Sequence, residues 1–225
     1  MANKQLKKKI LKLLEEKQYP DFIPELMKYS PKKIISYLFS ALLSKNETVK
    51  WNAVCVFGDV VKFISDNNLN DGRIFIRRLI WMLSDESGGI PWGVPEVMGE
   101  VLSKVDKLAS EYGSLLINQI IEYEGRADLF VEYDLLRRGA YWGVARFSSV
   151  YPNEVKKFLP DLLISFAKEK DLYIILYGLL ILKNLNVRWN GIKRFIHIKD
   201  CLSIFWDYKF NKFCINELAN SFILN

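Results

Sequence analysis

Apolar residues recur along this chain at helical spacing, with little sustained alternation of period two, so the pattern predicts short-linked helices of about three to five turns. Ser30 followed by Pro31 supplies an N-cap and a first-turn proline ahead of PKKIISYLFSALL, and Asn70 with Asp71 opens GRIFIRRLIWML. Pro152 and Asn153 start a further helix, EVKKFLPDLLISFAKE, which stops before Asp171. From Met1 to Gln18, Lys alternates with Leu and Ile, which predicts an amphipathic helix and lacks the apolar stretch of a signal peptide. The stretch after Asn184 departs from the pattern. HIKDCLSIFWDYKFNKF is rich in strand formers and suits a small hairpin before a last helix, Ile215 to Leu224. The longest apolar run, Leu172 to Leu182, is 11 residues, well short of the roughly 20 that cross a bilayer, so a cytoplasmic protein without a membrane partner is expected.

The helical segments repeat. VKWNAVCVFGDVV from Val49 aligns with IPWGVPEVMGEVL from Ile90, matching Trp51 with Trp92, Gly58 with Gly99, Asp59 with Glu100 and Val60 with Val101. LRRGAYWGVARFS from Leu136 and LYIILYGLLILKN from Leu172 fit the same frame. The anchors Ala53, Val94, Ala140 and Leu176 are 41, 46 and 36 residues apart. Each such segment follows another helix, so the unit is a helix pair, which can bury its apolar face only by stacking on a neighbour.

The run Val49-Lys50-x-x-Ala53-x-x-x-Phe57-Gly58-Asp59-Val60 resembles the second helix of a HEAT repeat. Asp85 to Trp92, with Pro95, Glu96, Gly99 and Glu100, resembles a group of small prokaryotic HEAT-like proteins. The resemblance covers roughly residues 31 to 184. It implies an all-α fold, an α-solenoid (a right-handed superhelix) of about four helix pairs. Residues 1–184 form the repeat domain with an N-terminal cap helix, and 185–225 form an aromatic, basic C-terminal cap on the same domain.

In such a stack, equivalent positions of successive second helices line one face. Ala53, Phe57, Val60 and Ile64 make the apolar stripe of the first, which leaves Asn52, Cys55, Asp59 and Lys62 on another side. Carried through the repeats, that side reads Cys55, Glu96, Trp142, Gly178 and then Asp59, Glu100, Arg146, Leu182, with Arg137 and Arg138 near the start of the third helix. Two readings stay open. Glu100 and Arg146 form an ion pair between neighbouring helices while Trp142 packs, or Asp59, Glu96, Glu100, Trp142, Arg146 and Arg138 line a concave groove that takes a protein or peptide, favouring basic groups. The loop of Asp85, Glu86, Ser87, Gly88 and Gly89, ending near Trp92, is expected at the rim as a turn; it has neither a P-loop nor an EF-hand pattern.

Composition narrows the chemistry. Six Trp, 11 Tyr and 14 Phe demand a core. The net charge of +6 is concentrated at the ends: +5 in the first 12 residues, +5 over residues 183 to 212, and −3 over residues 13 to 182. Capping the two ends of the stack is the expected role of both basic segments; the bases interleaved with Trp189, Phe195, Phe205, Trp206, Tyr208 and Phe210 leave nucleic-acid stacking as the alternative. Cys55, Cys201 and Cys214 include no CxxC pair, so reduced thiols are expected in place of a disulfide framework or zinc site. With one histidine, His197, and no GxSxG, a nucleophilic triad has little to draw on. No cofactor, metal or catalytic residue is assigned. The enzymatic alternative is resemblance to the HEAT-like DNA glycosylases of alkylated bases, for which Trp92, Trp142, Glu100 and Arg146 are the candidates; the family's tryptophan-to-aspartate spacing is absent, since Trp92 is followed by GVPE.

Overall fold

The computed structural model describes residues 2–85, 89–123 and 129–222. The described residues are mostly helical, with one two-stranded sheet among them, and the chain divides into two compact units, residues 1–110 and 111–225. The first holds α1 (Ala2–Glu16), α2 (Ile23–Leu26), α3 (Pro31–Ala41), α4 (Glu47–Asn67), α5 (Leu69–Leu83) and α6 (Val94–Lys104). The division falls within α7 (Asp106–Ile117). The second unit contains α8 (Asp134–Ser148), α9 (Pro152–Lys156), α10 (Leu159–Phe166) and α11 (Leu172–Leu185), then the strands β1 (Cys201–Trp206) and β2 (Lys209–Cys214), and α12 (Ile215–Asn220). Among the described residues no helix is long and apolar enough to cross a membrane.

Local chemistry sets the helix ends. The Asn46 side chain accepts from the Thr48 N–H and caps α4; Asn68, two residues before the Asn70 that the sequence suggests, accepts from Asn70 N–H and caps α5. The helix expected to follow Pro152 breaks in two because Pro160 has no N–H to donate to the Lys156 carbonyl and its ring clashes with that oxygen. α12 ends at Asn220, and Leu224 lies outside the described residues.

Within the first unit, Phe39, Phe57 and Phe75, from α3, α4 and α5, meet at ring distances of 5.0 to 6.3 Å. Side-chain pairs fix how the longer helices run. Lys50 reaches Glu96 (3.7 Å) and Asp59 reaches Lys104 (2.7 Å), so α4 and α6 are parallel, at separations of 46 and 45 residues. In the second unit Arg138 bonds Asp171 at the start of α11, and Asn184 near its end donates to the Ala145 carbonyl (3.0 Å) and the Ser148 hydroxyl (3.0 Å). Hence α8 and α11 are parallel too. Tyr141, Phe166 and Phe195 form the buried aromatic core of this unit, with half-buried Trp189 against Phe166.

The strand formers after Asn184 do pair, antiparallel, with Cys201 directly opposite Cys214 and a two-residue turn at Asp207 and Tyr208. That register corrects the cysteine expectation. Cys201 and Cys214 are bonded as a disulfide across the open end of the hairpin, while Cys55 is buried and outside that bond. The expectation of a cytoplasmic location rested partly on reduced thiols, and this bond removes that support. Alkylation followed by mass spectrometry checks the pairing: denatured but unreduced protein is expected to take up label at Cys55 alone, and reduced protein at all three cysteines.

Candidate functional site

Two of the acidic positions singled out in the first unit, Asp59 and Glu100, converge on one lysine. The Lys104 ammonium is 2.7 Å from Asp59 Oδ1 and 3.0 Å from Glu100 Oε1, and donates to the Tyr19 hydroxyl (2.7 Å). Gly58 makes this possible, because a Cβ there would lie 2.8 Å from Lys104 Cδ and 2.9 Å from Glu100 Cγ. The glycine preceding the acid in the repeat motif thus opens the space in which the charges of α6 meet α4. One turn earlier, Glu96 pairs with Lys50 (3.7 Å), whose ammonium lies over the Trp51 ring (5.1 Å). Glu96 Oε2 and Asp59 Oδ2 are buried without a hydrogen-bond partner.

Glu100 is 0 % and Glu96 6 % exposed, so neither lies on an open face. The expected groove is corrected here, and the reason is the chain's own N-terminal segment. Asn52, on the polar side of α4, donates to the carbonyls of Leu14 (2.8 Å) and Lys17 (3.0 Å), and Tyr19 closes over Lys104. Burial alone would lower the Lys104 pKa, but Glu100 and Asp59 outweigh it and hold the ammonium above its ordinary range. Burial raises Tyr19 as well, against the opposing pull of Lys104.

Both groups keep their protons to higher pH folded than unfolded. Their contribution is therefore complete below the unfolded values, about 10 for tyrosine and about 10.4 for lysine, and is lost as pH rises through the folded ones. Stability measured by urea unfolding is expected to fall as pH climbs above about 10, and Tyr19→Phe to flatten that fall. A flat profile for the wild type over this range contradicts the assignment.

In the second unit the three predicted residues of α8 serve the fold. Trp142 is 3 % exposed, donates its indole N–H to the Phe205 carbonyl (2.8 Å) and packs edge-on against Trp206. It anchors the hairpin and is no open aromatic platform, which corrects its expected place in a groove. Arg146 donates to the Tyr208 hydroxyl (2.5 Å) and lies over that ring at 5.2 Å. This contact steadies a turn in which Asp207 and Tyr208 both have positive φ, 50° and 63°, without a glycine. Arg138 grips Asp171 through Nε and Nη2 (2.6 to 3.0 Å), while Asp171 caps α11 by accepting from the N–H groups of Tyr173 and Ile174. Hydrogen bonding to Asp171 raises the Arg138 pKa.

Sequence reasoning passed over the strongest polar site of this unit. Arg137 is buried and donates to Glu169 (2.8 and 3.2 Å), the carbonyls of Val131 (2.9 Å) and Glu132 (2.6 Å), and Asp134 (2.5 Å). Local spacing announces only Asp134, three residues earlier; the other partners are two backbone oxygens and a carboxylate 32 residues away. Lys104 was detectable, standing four residues after Glu100 on the same helix face.

Of the expected rim loop, Asp85 and Gly89 are exposed, whereas Glu86, Ser87 and Gly88 lie outside the described residues. Trp92 is 38 % exposed, and Gly93, at φ 77°, turns the chain into α6 close against Leu42. Among the described residues no group of His, Cys, Asp and Glu is placed to hold a metal ion. Glu96 and Glu100, four residues apart on α6, are each paired with a lysine. No family model, curated protein or solved structure matches this chain, so its own side chains are the ground for assigning a function.

Proposed function

We propose that this chain is a non-catalytic, HEAT-like helical-repeat module that binds a protein or peptide partner. The observation that carries the reading is the parallel pairing of α4 with α6 and of α8 with α11. The contacts in the first pair are 45 and 46 residues apart, one helical turn beyond the 41-residue sequence repeat; those in the second pair bracket its 36-residue repeat. Stacked helix pairs of this kind form an α-solenoid, whose extended surfaces serve recognition. The internal neutralisation of Glu96, Glu100, Arg137 and Arg138 supports the non-catalytic part, since a general acid or base needs a group left available for substrate. Partner contact then falls to exposed side chains, with Glu96, Glu100 and Trp142 already engaged inside the fold.

Affinity capture with the full chain tests this, run with and without nuclease. A protein recovered in stoichiometric amount and insensitive to nuclease is expected. Capture of nucleic acid alone, or of no partner, contradicts the reading.

A further inference from the structure

We propose that the outward face of α5 docks an acidic, apolar-anchored segment of the partner protein; this rests on the protein-binding reading above. α5 buries Phe75, Ile76 and Leu79 towards the core, so the opposite side of the helix should be polar. It is not. Ile74 is 55 % and Trp81 66 % exposed, and they stand seven residues apart, two turns along one side. Arg77 and Arg78 lie between them, also exposed. Gly72 abuts Ser65 of α4, and the two helices are antiparallel across the single residue Asn68. That register sets Ile74 level with Phe63 of α4, itself 49 % exposed.

Charge selects the occupant. From Gly72 to Ser84 the helix carries Arg73, Arg77 and Arg78 and no acid. Arg77 has no hydrogen-bond or ion-pair partner among the described residues, and Arg78 is steadied by the Phe39 ring at 4.5 Å. Arginine offers carboxylates a planar pair of donors, and Trp and Arg are both among the side chains enriched where binding energy concentrates. A second copy of this chain on a two-fold axis would set Arg77 and Arg78 against their own equivalents, which like charge opposes. Carboxylates flanking aliphatic or aromatic side chains meet both the guanidinium groups and the apolar surface.

A random peptide library displayed on phage, panned against the full-length protein, supplies the probe. Selected peptides are then synthesised and their affinities measured by fluorescence anisotropy. The binders are expected to be rich in Asp and Glu around apolar residues. Trp81→Ala and Arg77→Glu should each weaken them by about tenfold or more, with Arg77→Lys losing less. Circular dichroism confirms folding, and Trp81→Phe with Arg77→Gln replaces any variant that fails to fold. Failure to select binders, basic binders, or binders indifferent to both substitutions overturn the assignment, as does oligothymidylate that competes for the same residues. Affinity capture with Trp81→Ala separates the two ideas: a partner retained at wild-type level leaves protein binding intact and removes α5 from it, whereas no partner on either protein removes the function itself.

Discussion

Lys104→Met is expected to destabilise the chain by about 3 to 5 kcal/mol, because it leaves buried carboxylate without its counter-charge. The ammonium serves Glu100, which is fully buried, and Asp59, and both sit within 3.0 Å of it. Methionine matches the length of the lysine stem, so the loss reports charge and hydrogen bonding more than packing. The comparison that isolates the effect is the double variant Lys104→Met with Glu100→Gln. Removing both ends of a buried pair costs far less than removing one, so the double variant should be more stable than Lys104→Met alone. Urea unfolding of the four proteins in the cycle measures this. Additive losses would show that Glu100 and Lys104 do not depend on each other.

The features that were legible in the sequence are those encoded within a few residues. Ser30-Pro31, the apolar spacing after Asn70 and the aromatic-rich run after Lys199 each announce an element from its own residues. Gly58 before Asp59 was visible as a repeated pair with Gly99 before Glu100, and its physical purpose is the room it leaves for Lys104 and Glu100. Burial was less legible, because it depends on what lies over a helix face. Asn52, Asp59 and Trp142 read as one polar, open side of the second helices; residues 14 to 19 and the strand ending at Trp206 supply the covering. The Cys201–Cys214 bond was hidden for a similar reason. Its 13-residue separation means nothing until the Asp207-Tyr208 turn fixes which residues stand opposite each other.

Arg137 should be as sensitive as Lys104, for a reason that separates geometry from charge. Its guanidinium has five donor directions, and the structure fills them with Glu169, Asp134 and two carbonyl oxygens from Val131 and Glu132. Hydrogen bonds and charge from Glu169 and Asp134 raise its pKa against the opposing effect of burial, so it stays a cation at any ordinary pH. Arg137→Met removes charge and donors together and is expected to cost about 3 to 5 kcal/mol, since Glu169 is buried beside it. Arg137→Lys keeps the charge but brings three donors on a single nitrogen, which cannot reach carbonyls and a carboxylate on separate sides at once. If planar geometry dominates, Arg137→Lys should lose most of what Arg137→Met loses; if charge dominates, it should recover most of it. The arrangement of acceptors favours the first result: two of the five bonds hold the backbone just before α8, where a point charge gives no directional hold. Thermal unfolding of the two variants settles the order, and backbone amide exchange at residues 131 to 134 should rise in both, because the same guanidinium that neutralises Glu169 also ties that backbone down.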